Sequence, residues 1–485
     1  MSLDAFTKPP ERSRFSGRSL LWIALIVLWA LYGVATLRMH FRPSLLAFPL
    51  AIIALLVGRF HAKRQGPPSY PAWFVGFGLL AAIPVGLLLT LSIRMDYILD
   101  YEVFLQLAKS IYTTGKYEDW YGTVAWRPPG TALCYGLPMR LGLSPQLSVW
   151  LVNSLLFVAV FGFIRACHRV FPVRSHLFGI VPGALVLCLA TLPFLLLPIS
   201  HLPSIATMIG VLWLIPTSAE LLRRTPPVRW LAAGILIGLS TLFRANLILQ
   251  FPVICVALLT ALGPRPSLAV GRRFLLAAVA CLAGVLLAII PWSIRNYRVL
   301  GRPVLISTNG GMVFYSANWP ARPSEQGMYH EELHKEIVAE VPDEVDRDRV
   351  AWRKGLEAIR ARPMAFVTSY LYRIPRLLGD PLFPVKYIGY HGEGPSYLLS
   401  GLKLAERAVL IGFWCLWLQI LVSAGAIRAR VLDPETIPWP QVSLLLVVSV
   451  SSIFECSPTY QLSFLPFVLA TWLGSPTGSA KNREP

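Results

Sequence analysis

Long apolar runs broken by short polar connections dominate the chain. A helix crosses the hydrocarbon of a bilayer in about 20 residues. Runs of that kind are Ser19 to Leu37, Pro43 to Phe60, Trp73 to Ile93, Gln146 to Ile164, Leu177 to Ile199 and Pro203 to Leu222. Val228 to Phe243, Leu247 to Leu262, Phe274 to Trp292, Ala408 to Ile427, Val442 to Phe454 and Tyr460 to Leu473 complete the set. The length rule therefore predicts an all-α integral membrane protein with roughly twelve transmembrane helices. The seventh, eighth and last two runs are short, and a re-entrant hairpin is the alternative for the first two.

The polar stretches divide the chain into five parts. Residues 1–93 hold the N-terminal spans, 94–145 a first large loop, 146–292 a central bundle, 293–407 a second large loop, and 408–485 the C-terminal spans and tail. With the N-terminus in the cytoplasm, the connections carrying Arg59, Lys63 and Arg64, then Arg165, Arg169 and Arg174, then Arg223, Arg224 and Arg229 are cytoplasmic. So are those carrying Arg265, Arg272 and Arg273, and Arg428 with Arg430. Short connections on the other side are nearly free of Lys and Arg, which is the positive-inside pattern. Arg38 and Arg42 are the exception. Both large loops then face away from the cytoplasm.

Composition strengthens this picture. Of 485 residues, 55% are hydrophobic and 14% charged, with mean hydropathy +0.59. A soluble chain is about one quarter charged, so this is a membrane composition. The net charge of +19 would suit nucleic acid, but the basic residues fall between apolar runs and not on one face, so no nucleic-acid partner is expected. The seven cysteines are scattered, several inside apolar runs (Cys188, Cys255, Cys281), with no CxxC pair. Neither a zinc site nor a disulfide framework is indicated. The first apolar run is long and lacks a small-residue cleavage pattern, so it reads as a span and not a signal peptide.

The first loop carries the most suggestive chemistry. Asp96 and Asp100 lie just beyond the run that ends at Ile93. A carboxylate is costly inside hydrocarbon and well tolerated in water, so acids at the boundary can meet a lipid-borne and an aqueous substrate together. Asp100 reads as the N-cap of a helix from Tyr101 to about Thr113, with Glu102 in its first turn and Gly115 beyond its end. Val103, Phe104, Leu107 and Ile111 would share one face, suiting a helix on the membrane surface. Arg127-Pro128-Pro129-Gly130 follows, an extended turn that presents Arg127. In the second loop, Glu344 to Arg362 reads as a charged helix ended by Pro363. Phe366, Val367, Tyr370 and Leu371, with Arg373 and Arg376, read as a surface-lying amphipathic helix whose arginines meet lipid headgroups.

Asp100, Phe104, Leu107-Ala108, Gly115 and Arg127-Pro128-Pro129-Gly130 resemble the first outer loop of the GT-C membrane glycosyltransferases, in the protein mannosyltransferase and aminoarabinose transferase form of bacterial families 39 and 83. Pro291-Trp292-Ser293-Ile294-Arg295-Asn296-Tyr297, with Gly301, Ser307 and Asn309 to Gly311, resembles the segment after a middle span of that family. Leu242-Phe243-Arg244 resembles its arginine at a span end, and Glu455, Tyr460, Leu465 and Pro466 its last span. The chain departs from the pattern at Phe104, where Tyr is common, at Thr131, where an aromatic is common, and at Thr459, where Arg is common. The lead-in before the loop is also longer than the family's usual single span.

The resemblance implies a GT-C fold, a polyprenyl-phosphate sugar donor, a glycan, lipid or protein acceptor, and an inverting transfer at the periplasmic face of a bacterial inner membrane. It implies that Asp100 is the catalytic base. Asp96, Arg127, Arg244, Arg295, Asn309, Glu455 and Tyr460 are the substrate-binding candidates. Arginine suits a leaving phosphate because its planar fork matches the oxygens. The acidic clusters are thin, so no metal and no other cofactor is expected, although some members of the family use a divalent ion. Each residue also has a plainer role. Asp100 serves as a helix cap, Asp96 pairs with Arg94, and Arg127 anchors to lipid phosphate. Arg244 and Arg295 snorkel at span ends, Asn309 to Gly311 make a turn, and His201 is structural. The competing function is a polytopic transporter or lipid-linked-saccharide flippase, which would carry polar or broken helices near mid-membrane, often in related halves. A polymerase or ligase of another fold would not account for the order of the two loops. No Gly-rich phosphate loop supports a nucleotide-sugar enzyme.

Overall fold

The computed structural model describes residues 83–98, 100–170, 195–198, 200–215, 222, 224–262, 267–319, 330–377, 387–388, 390–401 and 439–454. The described residues are mostly helical. In chain order the elements are α1 (Ile83–Ser92), β1 (Arg94–Met95), α2 (Asp100–Thr113), α3 (Gly130–Arg140), α4 (Pro145–Val170), α5 (His201–Leu214) and α6 (Pro227–Phe243). A 3-10 turn (Ala245–Leu249) leads into α7 (Gln250–Leu262). Then come α8 (Leu268–Leu300), α9 (Gly310–Asn318), α10 (Glu331–Glu340), α11 (Glu344–Ala361), α12 (Pro363–Leu377), β2 (Gly392–Glu393) and α13 (Trp439–Ile453).

Helix α8 is the longest. The Ser267 hydroxyl accepts the Val270 amide at its start, and Gly301, at φ 67°, ends it with its amide on the Tyr297 carbonyl. Glycine suits that left-handed end because it has no Cβ to clash. At 33 residues the helix is about 50 Å long, well beyond the hydrocarbon thickness. The apolar run predicted from Phe274 to Trp292 is therefore only part of it. Ser293 to Leu300, read from the sequence as the start of a loop, continues the same helix.

Helix α6 lies against α8 at very short range. A Cβ on Gly234 would stand 2.0 Å from the Cys281 carbonyl oxygen, and one on Gly284 would stand 2.2 Å from that of Leu231. Gly238 makes a similar approach to Val285. Small residues let helix backbones touch where lipid offers no hydrophobic drive for association. The main core extends from this seam through Trp230, Ile237, Cys281 and Val285 to the buried face of α5 and to Leu195–Leu197.

By length and composition, α8 is the one helix among the described residues able to cross a membrane. A second is reached if α3 and the start of α4 count as one span broken by 118°. Roughly twelve spans are thus not carried by the described residues. The predicted runs Ser19–Leu37, Pro43–Phe60, Ala408–Ile427 and Tyr460–Leu473 lie outside them, as does most of Leu177–Ile199. Other predicted runs correspond to α4, α5, α6, α7 and α13, and the end of Trp73–Ile93 to α1. Residues 130–140, which the hydropathy pattern leaves unassigned, form α3.

The two large loops are not independent. Arg94 pairs with Glu393 and Met95 with Gly392 in an antiparallel ribbon, so the ends of both loops meet beside α2. Helix α2 matches the predicted Tyr101–Thr113 closely, but its apolar face is covered by protein. Phe104, Leu105, Leu107 and Ala108 are buried, and α3 packs so closely that a Cβ on Gly136 would meet the Ala108 carbonyl at 2.6 Å.

Candidate active site

The segment before Asp100 is a ledge fixed from several directions. The Asp96 amide donates to the His391 carbonyl at 3.0 Å, continuing the ribbon. The Tyr387 hydroxyl accepts the Ile98 amide at 2.6 Å and lies 3.2 Å from the Asp96 carbonyl oxygen. Tyr97 donates to the Leu196 carbonyl at 2.9 Å. The rings of Tyr101 and Tyr387 meet edge to face at 4.4 Å. Gln146, at the start of α4, accepts the Met95 amide and donates to the Thr90 carbonyl at 2.8 Å. The Asp96 side chain is exposed and forms no ion pair with Arg94, so the predicted Asp96–Arg94 pairing is absent.

Asp100 opens α2, and its carboxylate is bonded to the Arg127 guanidinium. Asp100 is 57% exposed and Arg127 21%. The carboxylate is thus committed to a cation while still open to solvent. Arg127 is held from behind by Tyr117, whose buried hydroxyl lies 3.1 Å from both the Arg127 and Pro128 carbonyl oxygens. Burial drives that phenol's pKa far above its ordinary value, with Arg127 and Arg295 pulling the other way, so it stays a proton donor. Tyr117 also packs edge to face on Trp292 of α8 at 4.9 Å.

Arg295 stands on the extension of α8. Its guanidinium lies over the Trp292 ring at 4.8 Å, donates to the Tyr117 carbonyl at 3.2 Å and also bonds the Val124 carbonyl. It therefore grips the first loop by its backbone, as its snorkelling or phosphate-binding alternatives do not anticipate. Its neighbour Asn296 is fully buried and ties α8 to the chain that follows, donating to the Ile306 carbonyl at 3.1 Å.

Arg244 sits at the end of α6. Its Nη1 is 3.0 Å from His201 Nε2 and 3.5 Å from the Ser200 hydroxyl. Gly130 brings this end of α6 against the first loop, since a Cβ there would be 2.7 Å from the Phe243 ring and 2.8 Å from the Leu242 carbonyl. The chain that carries Arg127 and the chain that carries Arg244 are thus in contact.

Asn309 lies elsewhere in the second loop. It occupies the cap position of α9 without capping it, and its side-chain oxygen accepts the Ser307 hydroxyl at 3.0 Å. It makes no hydrogen bond to another candidate. Glu455 and Tyr460 lie outside the described residues. Arg373, read as a headgroup ligand, is instead 1% exposed. It donates to Asn318 Oδ1 at 3.1 Å and the Ser452 carbonyl at 3.2 Å, and also bonds the Ala317 carbonyl. It joins the ends of α9 and α13. The amphipathic pattern of α12 gave no sign of this, because the carbonyls it satisfies come from distant segments.

Beyond Arg127, His334 of α10 stacks on Trp126 at 4.4 Å, with the planes 3° apart. Burial and then the Arg127 charge lower its pKa to about 4. Three contributors escape a sequence reading, Tyr117, Glu344 and Tyr387, while His201, read as structural, lies against Arg244. Tyr387 and Tyr117 act through hydroxyls on remote backbone, which leave no local periodicity. Glu344 is legible only as an acid in the first turn of a charged helix.

No family model matches the chain, and no curated protein matches it either. A search of solved structures finds the crystal structure of ArnT from Cupriavidus metallidurans bound to undecaprenyl phosphate. It is 15% identical, covering 83% of this chain and 77% of that chain, with a TM-score of 0.33. At that score the likeness carries nothing about individual residues.

Proposed function

We propose that the chain is a membrane glycosyltransferase of the GT-C type, moving a sugar from a polyprenyl-phosphate donor to an acceptor hydroxyl or amine at the periplasmic face of a bacterial inner membrane. One observation supports this above the others. An open carboxylate, Asp100, is paired with a cation, Arg127, on a ledge held by both large loops. The composition supports a membrane location.

In the proposed reaction Asp100 takes the acceptor proton as the acceptor oxygen attacks the anomeric carbon. The bond from that carbon to the phosphate oxygen breaks, the phosphate leaves with the electron pair, and the configuration inverts. A positioned base of this kind contributes about 10²–10⁴-fold. In-line displacement puts nucleophile and leaving group on opposite sides of the carbon. A base and the cation touching it therefore suit the attacking side. Arg127 is proposed to orient the Asp100 carboxylate, and Arg244, buttressed by His201, to meet the leaving phosphate. Asp96 is proposed to line the site and Arg295 to hold it, Asn309 stands apart from them at the start of α9, and Glu455 and Tyr460 remain family-based candidates.

The test uses purified protein with a panel of polyprenyl-phosphate sugars. Wild type should turn over at least one of them, with an inverted product. Asp100→Asn should lower turnover by about 10²–10⁴-fold with binding of the polyprenyl phosphate retained. Turnover that survives the substitution removes Asp100 from the base role. Lys116→Cys, at an exposed position of the first loop, should label from the periplasmic side; labelling from the cytoplasm alone reverses the proposed topology.

A further inference from the structure

The short segment Val124–Ala125, just before Trp126 and Arg127, is bonded at every backbone polar group by residues far away in sequence. The Val124 amide donates to Glu344 Oε2 at 2.6 Å, and the Ala125 amide donates to Glu344 Oε1 at 3.0 Å. The Val124 carbonyl accepts from Arg295. The Ala125 carbonyl accepts the Thr308 amide at 2.9 Å. Thr308 closes the set by donating its hydroxyl to Glu344 Oε1.

Glu344 is 8% exposed, a degree of burial a carboxylate tolerates only when its oxygens are satisfied. Three donors meet that need. The side chain itself starts from a fixed point. It occupies the first turn of α11, whose N-cap Asp343 accepts the Val345 and Asp346 amides. A negative charge is favoured at that end of a helix. One carboxylate thus welds a rigid helix of the second loop to the two peptides immediately upstream of the Asp100 partner.

The geometry points to Glu344 as a positioning residue that sets Arg127 against Asp100. It acts through the backbone of Val124–Ala125 and touches neither substrate nor reacting atoms. The inference rests on the proposed glycosyl transfer for its meaning in turnover, though not for its geometry. Fixing the Val124–Ala125 peptides leaves Trp126 as the one residue between that anchor and Arg127, which limits how far the Arg127 side chain can move. A displacement of about 1 Å at a catalytic constellation can cost on the order of 100-fold in rate.

Two measurements test it. The first is a cycle with Glu344→Gln, Arg127→Ala and the double variant. Glu344→Gln keeps the shape but turns an NH₂ donor towards backbone donors. It should lower turnover by about 10- to 100-fold in the wild-type background. In the Arg127→Ala background it should do almost nothing further. Equal losses in both backgrounds would show a general structural role and overturn the inference. The second measurement needs no turnover. Asp100→Cys and Arg127→Cys are placed in a chain whose seven native cysteines are replaced by alanine, and a short bismaleimide cross-links them. With the ion pair gone, only the scaffold holds the two positions together. Adding Glu344→Gln should slow cross-linking severalfold, and an unchanged rate would overturn the inference. Thr308→Val removes one donor to the same carboxylate and should act in the same direction more weakly, which covers the case of a Glu344 variant that does not fold. Absence of wild-type turnover on every donor would count against the glycosyltransferase reading alone, since the cross-linking rate still decides the role of Glu344.

Discussion

The Tyr387 hydroxyl lies 2.6 Å from the Ile98 backbone nitrogen, across 289 positions of sequence. It fixes the ledge two residues before Asp100. In Tyr387→Phe the Ile98 amide loses its acceptor in a half-buried setting, at a cost of about 1–3 kcal/mol. Amide exchange at Ile98 should quicken, and turnover should fall while thermal unfolding shifts only slightly. Unchanged exchange at Ile98 would show that water replaces the hydroxyl fully.

Arg373 is expected to govern stability and not lipid binding. Arg373→Met should leave the Ala317 and Ser452 carbonyls without their donor, and each such buried group costs about 1–3 kcal/mol. A fall in unfolding temperature with unchanged binding to anionic vesicles is the expected pair of results. Weaker vesicle binding with normal stability would restore the headgroup role.

Two side chains of the second loop should oppose each other as pH changes. Burial raises the Asp348 carboxyl to about 6, with the Gly311 amide and Trp352 hydrogen bonds pulling it back. Its folded pKa exceeds its unfolded value, so its protonated form is favoured in the fold and stability falls as pH rises from about 4 to 6. His334 is lowered to about 4, so its neutral form is favoured and stability rises over the range from about 4 to 6.5. Each contribution is on the order of 1–2 kcal/mol after allowing for solvent screening. Asp348→Asn should leave unfolding free energy climbing with pH in this window, and His334→Phe should leave it declining. Identical slopes in both variants would dissociate these groups from the pH response.

The α6–α8 seam should not accept a side chain. In Gly234→Leu the new atoms must enter a space where the first of them already lies 2.0 Å from a carbonyl oxygen. Overpacking costs about 1–3 kcal/mol and more where backbone is in the way. Lower folded yield in detergent is expected, with Gly271→Leu, an open position on α8, as the unaffected control.

Hydropathy runs located α4, α6 and α8 because an apolar period is a local property. The helix after Asp100 was legible for the same reason, and so was its end at Gly115. Arg127 stood out through the Pro128-Pro129-Gly130 turn, and it does reach Asp100. What stayed hidden was every contact made by backbone. The roles of Arg295 and Arg373 depend on carbonyl groups, which all residues carry alike. The apolar face of α2 was read correctly in outline but assigned to lipid, because pattern alone cannot distinguish a bilayer from the neighbouring α3. Gly130 was read as the end of the Pro128-Pro129-Gly130 turn, whereas its use is the close approach of Phe243.

The ribbon of Arg94–Met95 with Gly392–Glu393 carries a consequence for biogenesis. Synthesis proceeds from the N-terminus, so the ledge is made while its strand partner is still unmade. Nearly 300 residues must follow before Gly392 can dock, by the register of the pairing. Closure over such a distance is a late, slow event. The nascent chain would hold its carboxylate on an unformed support throughout that interval, and the proposed transfer would begin only when the last part of the second loop arrives.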